Sequence, residues 1–333
     1  MPGVTLVRAA IFAAGALVGG GVATTIASRQ HAPSRTAIPV TPTAPIIERE
    51  ALIQETAPTP ISSILRYGNP GPIADPLVRK AYAAAYDRRL RHPAWTAEHL
   101  TAASLKSGKE NNAGDRSKST FIEDEEVLAP FRARLKDYFR SGYDRGHMVP
   151  AADAKFSQEA MNETFLLSNI APQVGDGFNR HYWAYLEDWC RKLTGPFQDV
   201  YVFTIPLYLP RLEGDGKWRV TYEVIGTPPN ISVPTHFAKV VLASKPSSPS
   251  TPERLEISTG AFVLPNAIIP DEAPLESFAM PVEAVERAAG LTLFSDALKS
   301  GASDICKTVK CQVVVRRFDD AQKKSRKAIA APK

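Results

Sequence analysis

The sequence predicts an α+β domain built on a central antiparallel sheet that is flanked by helices. Three β-type runs, Val200 to Ile205, Trp218 to Ile225 and Phe237 to Leu242, are separated by Gly, Pro and Asn. The clearest helix covers Phe178 to Leu193, where large apolar residues recur at steps of three and four. Strands and helices do not alternate regularly along the chain, and this favours α+β over a parallel α/β fold.

The other elements follow from local patterns. Polar residues alternate with apolar ones over 218–225, which predicts a half-buried strand. A further strand is predicted from Trp95 to Leu100. Short helices are predicted for Met161 to Leu167, after a capping Ser157, and for Pro130 to Tyr138. A late helix is predicted from Pro281 to Leu298, and the Ser- and Pro-rich stretch 244–256 is predicted to be a loop.

Composition sets broad limits on the class of protein. The chain has 333 residues, 44% of them apolar, which is enough for one large globular domain or two ordinary ones. A net charge of +5 suits binding to a polyanion without demanding it. Three cysteines exclude a disulfide-rich scaffold, although Cys306 and Cys311 are near enough in sequence to pair. A zinc site of cysteines with His147 or His181 lacks the usual C-x-x-C spacing.

The two ends of the chain are predicted to lie outside the globular domain. Within residues 1–30, the stretch from Ala9 to Ser28 is apolar or small and is flanked by Arg8 and Arg29, and no acidic residue precedes Glu48. This is typical of a mitochondrial targeting or membrane-anchoring segment, and a secretory signal is the alternative. Residues 31–60 form a Pro-, Thr- and Ala-rich linker that is expected to be disordered. The globular domain is expected over 61–318, followed by a basic disordered tail over 319–333.

The tetrapeptide Asp144-Arg145-Gly146-His147 carries the chemistry of phosphodiester cleavage. Hydrolysis needs a base for water, stabilisation of negative charge on phosphorus, and neutralisation of the leaving oxygen. An imidazole with a pKa of about 6.5 makes His147 the natural base. Arg145 offers a fork of donors that matches phosphate oxygens, or it forms an ion pair with Asp144.

Two residues on the predicted helix complete this set. Asn179 can cap the helix or bind a metal ion through its amide oxygen, since Mg²⁺ prefers oxygen ligands and keeps several waters. Glu187 follows eight residues later, about 80° around the helix and about 12 Å along it. At that separation it would hold a water on the metal rather than the metal itself, or it would be a solvated surface glutamate.

Four further arginines are candidate phosphate contacts or, alternatively, parts of a solvated basic surface: Arg88, Arg89, Arg116 and Arg180. Contacts of this kind would make nucleic-acid binding sensitive to salt and indifferent to base sequence.

These motifs together resemble the DNA/RNA non-specific endonuclease family, which has the ββα-metal fold, and within it the mitochondrial endonuclease G branch. The resemblance is carried by Asp144 to Asp153 (DRGHMVPAAD), by Phe165 to Gln173 (FLLSNIAPQ) and by the N-x3-W-x2-LE spacing from Asn179 to Glu187. Other parts of the chain are also similar to family segments: the upstream YDRR, Trp95 and EHL at 98–100, and the later THF with Lys239.

The resemblance implies a role for each site residue. His147 would be the general base, and Asn179 the only direct protein ligand of Mg²⁺ or Mn²⁺. Glu187 would anchor a metal-bound water, Arg145 would contact phosphate, and Asn169 would order the site. Asp144 would have a supporting role. The family cuts DNA and RNA with little sequence preference and leaves 5′-phosphates, and members of the endonuclease G branch are usually homodimers. The N-terminal segment would place the enzyme at the mitochondrial inner membrane or in the intermembrane space.

Two features set this chain apart from the family pattern. The stretch Val174 to Phe178 is one residue longer, which would shift Asn179. Met148-Val149-Pro150 follows the histidine where small residues are common. The alternatives to a mitochondrial endonuclease are an inactive nuclease-like protein that binds nucleic acid, and a secreted nuclease.

Overall fold

The computed structural model describes residues 72–108 and 113–315. The predicted targeting segment, linker and tail (1–30, 31–60 and 319–333) lie outside these ranges. The described part of the chain is organised around one eight-stranded sheet with the order β1-β2-β3-β6-β11-β12-β13, in which β14 pairs with β12. All neighbours are antiparallel except β12 and β14. The predicted α+β class with an antiparallel sheet is confirmed.

The strands of this sheet are β1 Ala74–Val78, β2 Tyr82–Asp87, β3 His92–Leu100, β6 Asp199–Leu207, β11 His236–Ser248, β12 Thr251–Pro265, β13 Ala279–Met280 and β14 Ser303–Asp304. Three separate two-stranded ribbons pair β4 Asp144–His147 with β5 Ile170–Gln173, β7 Arg211–Leu212 with β8 Trp218–Arg219, and β9 Val224–Ile225 with β10 Ile231–Ser232. The α-helices are α1 Gln158–Glu163, α2 Trp183–Lys192, α3 Val282–Ala289, α4 Asp296–Gly301 and α5 Ile305–Thr308.

The two faces of the sheet pack against different helices. On β11, Phe237 and Val241 belong to the core that also contains Trp183 and Leu186 of α2. The intervening residues, such as Val240, pack with α3 on the other side. Side chains alternate between faces along a strand, so one strand supplies both cores. We call these the α2 face and the α3 face.

The turn that leads into α2 absorbs the additional residue noted in the sequence. Gly175–Tyr182 forms a wide π-type turn, in which the Asn179 N–H donates to the Val174 carbonyl at 2.9 Å, five residues back. Gly177 has φ of +74°, which glycine adopts without strain. A π-type turn holds one residue more than an α-turn and often marks a functional site. The helical spacing from Asn179 onwards is therefore intact.

Several predicted elements are wrong in extent. The predicted half-buried strand over 218–225 is two short pieces, β8 and β9, and Val220 and Tyr222 between them remain 45% and 43% exposed. The stretch 244–256 is not a loop but the far end of the β11–β12 hairpin, where Lys245 pairs with Glu256. The late helix 281–298 is split into α3 and α4, because Gly290 ends α3 with a φ of +70°.

Two short helices also differ from expectation. Residues 130–138 form two 3-10 turns, Ala129–Phe131 and Leu135–Tyr138, instead of a single helix. The helix predicted over Met161 to Leu167 starts earlier, at Gln158, because the Ser157 hydroxyl accepts the Ala160 N–H at 3.0 Å. None of the helices in the described ranges is both long and apolar enough to cross a bilayer.

Cys306 and Cys311 form a disulfide, with their Cα atoms 5.1 Å apart, while Cys190 is buried and unpaired. The disulfide closes a short loop on the α2 face, where α5 lies over β12. The close approach requires Gly260, since a Cβ there would lie 2.2 Å from the Ile305 side chain.

Candidate active site

Strand β4 presents the Asp144-Arg145-Gly146-His147 tetrapeptide alongside β5. Gly146 pairs with Ala171, and the buried Gln173 side chain crosses directly over it. A Cβ at Gly146 would lie 2.1 Å from Gln173 Cδ, so only glycine fits at this position. Gly146 is extended within the strand and is not part of a turn.

His147 ends β4 in an aromatic pocket. Its ring is 8% exposed and lies 4.7 Å from the Phe165 ring and 5.3 Å from the Phe121 ring, measured between centroids. Burial, with a smaller contribution from the Arg116 charge, lowers the pKa of His147 to about 3. Its Nε2 atom finds no hydrogen-bond partner among the described residues. The imidazole is therefore neutral near pH 7 and able to accept a proton.

Asn179 is fixed by the first residue of β4. Its Nδ2 donates to Asp144 Oδ2 at 2.9 Å. Asp144 also accepts two bonds from the Arg180 guanidinium, at 2.8 and 2.6 Å. Burial opposes ionisation of Asp144, but these hydrogen bonds outweigh it and its pKa is lowered. Because the amide nitrogen faces the carboxylate, the amide oxygen of Asn179 faces away from it and is available to a cation.

Glu187 lies on α2, partly buried. Burial raises the pKa of its carboxyl to about 7, against the opposing charges of Lys239 and Arg191. The Arg116 charge acts on Glu187 as well as on His147, so one guanidinium lies within electrostatic reach of both. Arg116 is thus a cationic neighbour that Glu187 and His147 share.

Asn169 holds the backbone that follows His147. It is fully buried, and its side chain accepts the Val149 N–H at 3.0 Å. Its amide nitrogen donates to the carbonyls of Val149 and Thr164 at 3.0 and 2.8 Å. All of its bonds are to backbone, so it orders the segment and does not face substrate.

Arg145 does not pair with Asp144, contrary to one of the two interpretations of the sequence. It is exposed, and its guanidinium stacks on Phe121 at 4.7 Å. Arg116 stacks in the same way on Phe165 at 5.3 Å. Neither forms an ion pair with another residue in the described ranges. Both guanidiniums are thus exposed, and each stacks on a ring that neighbours His147.

The other candidate arginines already have carboxylate partners. Arg88 Nε donates to Asp75 at 2.8 Å, Arg89 lies 3.1 Å from Asp87, and Arg180 is held by Asp144. Arg88 and Arg89 are on the turn after β2. The structure does not place them beside His147.

Sequence reasoning missed a set of buried charges behind the site: Glu98, Asp153, Arg191 and Lys239. Arg191 lies four residues after Glu187, one turn along the same helix face, and this spacing could have identified it. Asp153 lies inside the DRGHMVPAAD motif, and no pattern distinguished it from an ordinary surface acid.

No group of three or more His, Cys, Asp or Glu side chains within the described ranges could hold a metal ion. The predicted alternative of a cysteine and histidine zinc site therefore has no support there. An amide oxygen with nearby carboxylates suits a hard divalent cation that keeps most of its waters.

The model of the DNA/RNA non-specific endonuclease family matches residues 62–300 of this chain. The chain belongs to the DNA/RNA non-specific endonuclease family. The match includes every residue of the site described above. The predicted family and the predicted enzyme class, an endonuclease, are therefore confirmed.

Similar members of the DNA/RNA non-specific endonuclease family come from fungi and animals. The chain is 51% identical over 266 residues to Nuclease 1, mitochondrial, from Schizosaccharomyces pombe, covering 80% of each protein. It is 50% identical to the mitochondrial nuclease of Saccharomyces cerevisiae, covering 82% of each. It is 42% identical to human Endonuclease G, mitochondrial, covering 72% of this chain and 76% of that protein. The predicted mitochondrial location agrees with these names.

A solved structure confirms the ββα-metal fold of the family. The crystal structure of an EndoG/EndoGI complex, described as showing the mechanism of EndoG inhibition, contains a chain that is 43% identical to this one, with a TM-score of 0.63. The likeness covers 74% of this chain and 96% of that one.

Proposed function

We propose that this protein hydrolyses phosphodiester bonds of DNA and RNA to 5′-phosphate products, with His147 as the general base and a single divalent cation held by Asn179. One observation carries the proposal. The neutral imidazole of His147 has an unpartnered, buried Nε2, and Asp144 on the same strand turns the Asn179 oxygen outward. A base and a cation ligand are thus fixed by the two ends of one four-residue strand.

Each residue of the site has a separate role in the proposed reaction. His147 accepts the proton of the attacking water, because its low pKa keeps it unprotonated near pH 7. A Mg²⁺ or Mn²⁺ ion held by Asn179 would neutralise charge on the phosphate and on the leaving oxygen. Glu187 would hold a water beside that ion, and the positive charge of the ion would favour the ionised form of its carboxyl. Arg116 and Arg145 bind the phosphate oxygens on either side.

Substrate binding follows from the same surface. Arg116 and Arg145 contact phosphates and not base edges, so cleavage is indifferent to sequence and weakens with salt. Arg88, Arg89 and Arg180 are secondary contacts that would add phosphate binding without giving up their carboxylate partners.

The protein acts in mitochondria. We place it at the inner membrane or in the intermembrane space, with residues 1–30 as the targeting or anchoring segment, 31–60 as a linker, 61–318 as the nuclease domain and 319–333 as a tail. A homodimer is the proposed assembly. An exposed row of apolar side chains supports it: Trp218 at 57%, Val220 at 45% and Val224 at 44% exposure.

The replacement His147→Ala tests the base directly. We expect cleavage of plasmid DNA and of RNA in Mg²⁺ to fall by about 1,000-fold, as for loss of a general base. The matched control is His99→Ala, since His99 stacks on Tyr201, away from the site, and should keep wild-type activity. Circular dichroism would show that both variants are folded. Activity of His147→Ala close to wild type, or no cleavage by the wild-type protein, would contradict the proposal.

A further inference from the structure

Five ionisable side chains lie together between the sheet and α2. Glu98 comes from β3, Lys239 from β11, and Glu187 and Arg191 from α2; Asp153 lies in the 3-10 turn Ala151–Asp153 after β4. Glu98, Asp153 and Lys239 are 5%, 4% and 1% exposed. We call these five residues the buried charge cluster.

Strand register places the sheet members of the cluster on the α2 face. Lys239 is paired with Thr204, and Thr204 with Thr96, so these three side chains line up across three strands. Glu98 is two residues beyond Thr96 and therefore on the same face. Lys239 Nζ donates to Thr204 Oγ1 at 2.8 Å and lies 4.9 Å from the Trp183 ring centroid on the helix side.

Asp153 connects the sheet to the helix. Its Oδ1 accepts from Arg191 Nη1 at 2.8 Å, and the buried carboxyl of Glu98, whose Oε2 has no hydrogen-bond partner among the described residues, neighbours the Asp153 carboxyl. Burial and the neighbouring Asp153 charge raise the pKa of Glu98 well above its usual range, which favours the protonated form of Glu98.

The charges in the cluster then balance. Three acids and two bases would leave one uncompensated negative charge away from water, and one proton on Glu98 removes it. The groups that face the cluster from outside are Arg116, towards Glu187, and Asp188, which is 3.7 Å from Arg191. The charges of the cluster also act electrostatically on the thiol of Cys190 in α2.

Stability does not explain why these charges are buried. Well-packed apolar residues in place of buried ion pairs are often as stable or more so, because desolvation offsets the attraction between the charges. Apart from Thr96 and Thr204, the cluster has apolar neighbours on the α2 face, among them Phe237, Val241 and Val202. A role in the site accounts for the charges better.

The ion pair joins two segments that must keep a fixed distance. Asp153 is six residues after His147, and Arg191 is one helical turn after Glu187. We propose that Glu98, Asp153 and Lys239 act as positioning residues that, through the Asp153–Arg191 ion pair, hold Arg191 and Glu187 in place relative to His147. This inference rests on the proposed function, in which Glu187 and His147 act on the same phosphate.

The experiment compares Glu98→Gln with Glu98→Ala in the full chain, with Mg²⁺ and a double-stranded DNA substrate. Glutamine is neutral and has an N–H that can donate to the neighbouring Asp153, so kcat should stay within about threefold of wild type. Alanine has no such donor, and kcat should fall about 10- to 100-fold with KM nearly unchanged, as expected for a displaced group that acts in the transition state. Thr96→Val is the matched control, because it alters the same strand face without touching the ion pair.

Asp153→Asn supplies a second variant should Glu98→Ala not fold in a thermal melt. It keeps the shape of the side chain but removes the charge that holds Arg191, and kcat should fall about 10-fold or more. Wild-type kcat in Glu98→Ala and Asp153→Asn would overturn the inference, and so would a Glu98→Gln variant as slow as Glu98→Ala. If wild type and Thr96→Val both leave DNA uncut, the proposed function fails instead.

Discussion

The two faces of the central sheet are built from the same strands and differ in what they bury. The α3 face is covered by Val282, Val285 and Phe294, which pack on Ile205 and Val240. The α2 face has an apolar core of similar kind but also encloses Glu98, Lys239 and the carboxylate of Asp153. The α3 face is thus an ordinary apolar core. On the α2 face, charged side chains that we propose to serve the site replace part of the apolar packing.

The difference predicts that mutations on the two faces have different consequences. A cavity on the α3 face should lower stability alone, because no residue of the site packs against that face. A cavity on the α2 face should also displace α2 and with it Glu187. Substitutions of the charged residues on the α2 face should change activity and stability by different amounts. Such a substitution can lower kcat while it raises the free energy of unfolding.

The largest expected effect on stability is that of Ile205→Ala, on the α3 face. Ile205 is fully buried, and the substitution should lower the free energy of unfolding by about 3 kcal/mol. Its kcat per folded molecule should remain at the wild-type value. Urea unfolding and steady-state cleavage at a temperature where both proteins are folded would measure the two effects.

Val202→Ala is the counterpart on the α2 face, on the same strand and equally buried. It should lower stability by about 2 kcal/mol and also lower kcat, because Val202 is paired with Glu98 in the sheet. Equal losses of kcat in the two variants would mean that the faces do not differ in the way argued here.

The sequence indicated the candidate site residues more directly than it indicated the buried charge cluster behind them. His147, Asn179 and Glu187 could be recognised because their spacing within two short motifs is set by β4 and by the helix. Glu98 and Lys239 are 141 positions apart (239 − 98) and meet only through the register of three strands. Local patterns contain no information about that register.

The errors in the fold have related causes. Alternation over 218–225 is the pattern of a half-buried strand, but its apolar side chains find no sheet to pack on and remain exposed. The stretch 244–256 has Ser and Pro that disfavour strands locally, and cross-strand pairing to the rest of the hairpin overrides them. In both cases tertiary contacts decided the outcome.

A loss of stability no larger than that of Val202→Ala, with less effect on kcat, is expected from loss of the Cys306–Cys311 disulfide, which closes a loop on the α2 face. Because the cysteines are five residues apart, Cys306→Ser with Cys311→Ser should lower the free energy of unfolding by about 2 kcal/mol. The loop carbonyl of Lys310 accepts from Trp189 of α2 at 3.1 Å, so Trp fluorescence would also respond. The sheet still supports α2, so kcat should stay within about threefold.

Wild-type protein treated with a thiol reductant is the control for the double variant. Reductant should lower its stability by the same amount and should leave the double variant unchanged. A large fall in kcat in either sample would show that the loop, and not only the buried charge cluster, positions α2.

The smallest effect on stability should have the opposite sign. Burial raises the pKa of Glu187 to about 7 from a usual value of about 4.5. The folded chain therefore binds this proton more tightly than the unfolded chain does. The stability that protonation contributes is complete below about pH 4.5 and is lost as the pH rises through about 7. Glutamine remains neutral at every pH and keeps that contribution.

Glu187→Gln should therefore raise the free energy of unfolding at pH 8 by about 1–2 kcal/mol, a value reduced to allow for the partial exposure of the side chain. At pH 4.5 the difference should disappear. Cleavage by the same variant should fall about 100-fold, since glutamine has no charge to hold a water beside the cation. Urea unfolding in a chelator at pH 4.5, 6 and 8 would measure the gain, with Ile205→Ala as a control whose stability loss should not depend on pH. A gain of the same size at all three pH values would mean that packing, and not the buried charge, separates the α2 face from the α3 face.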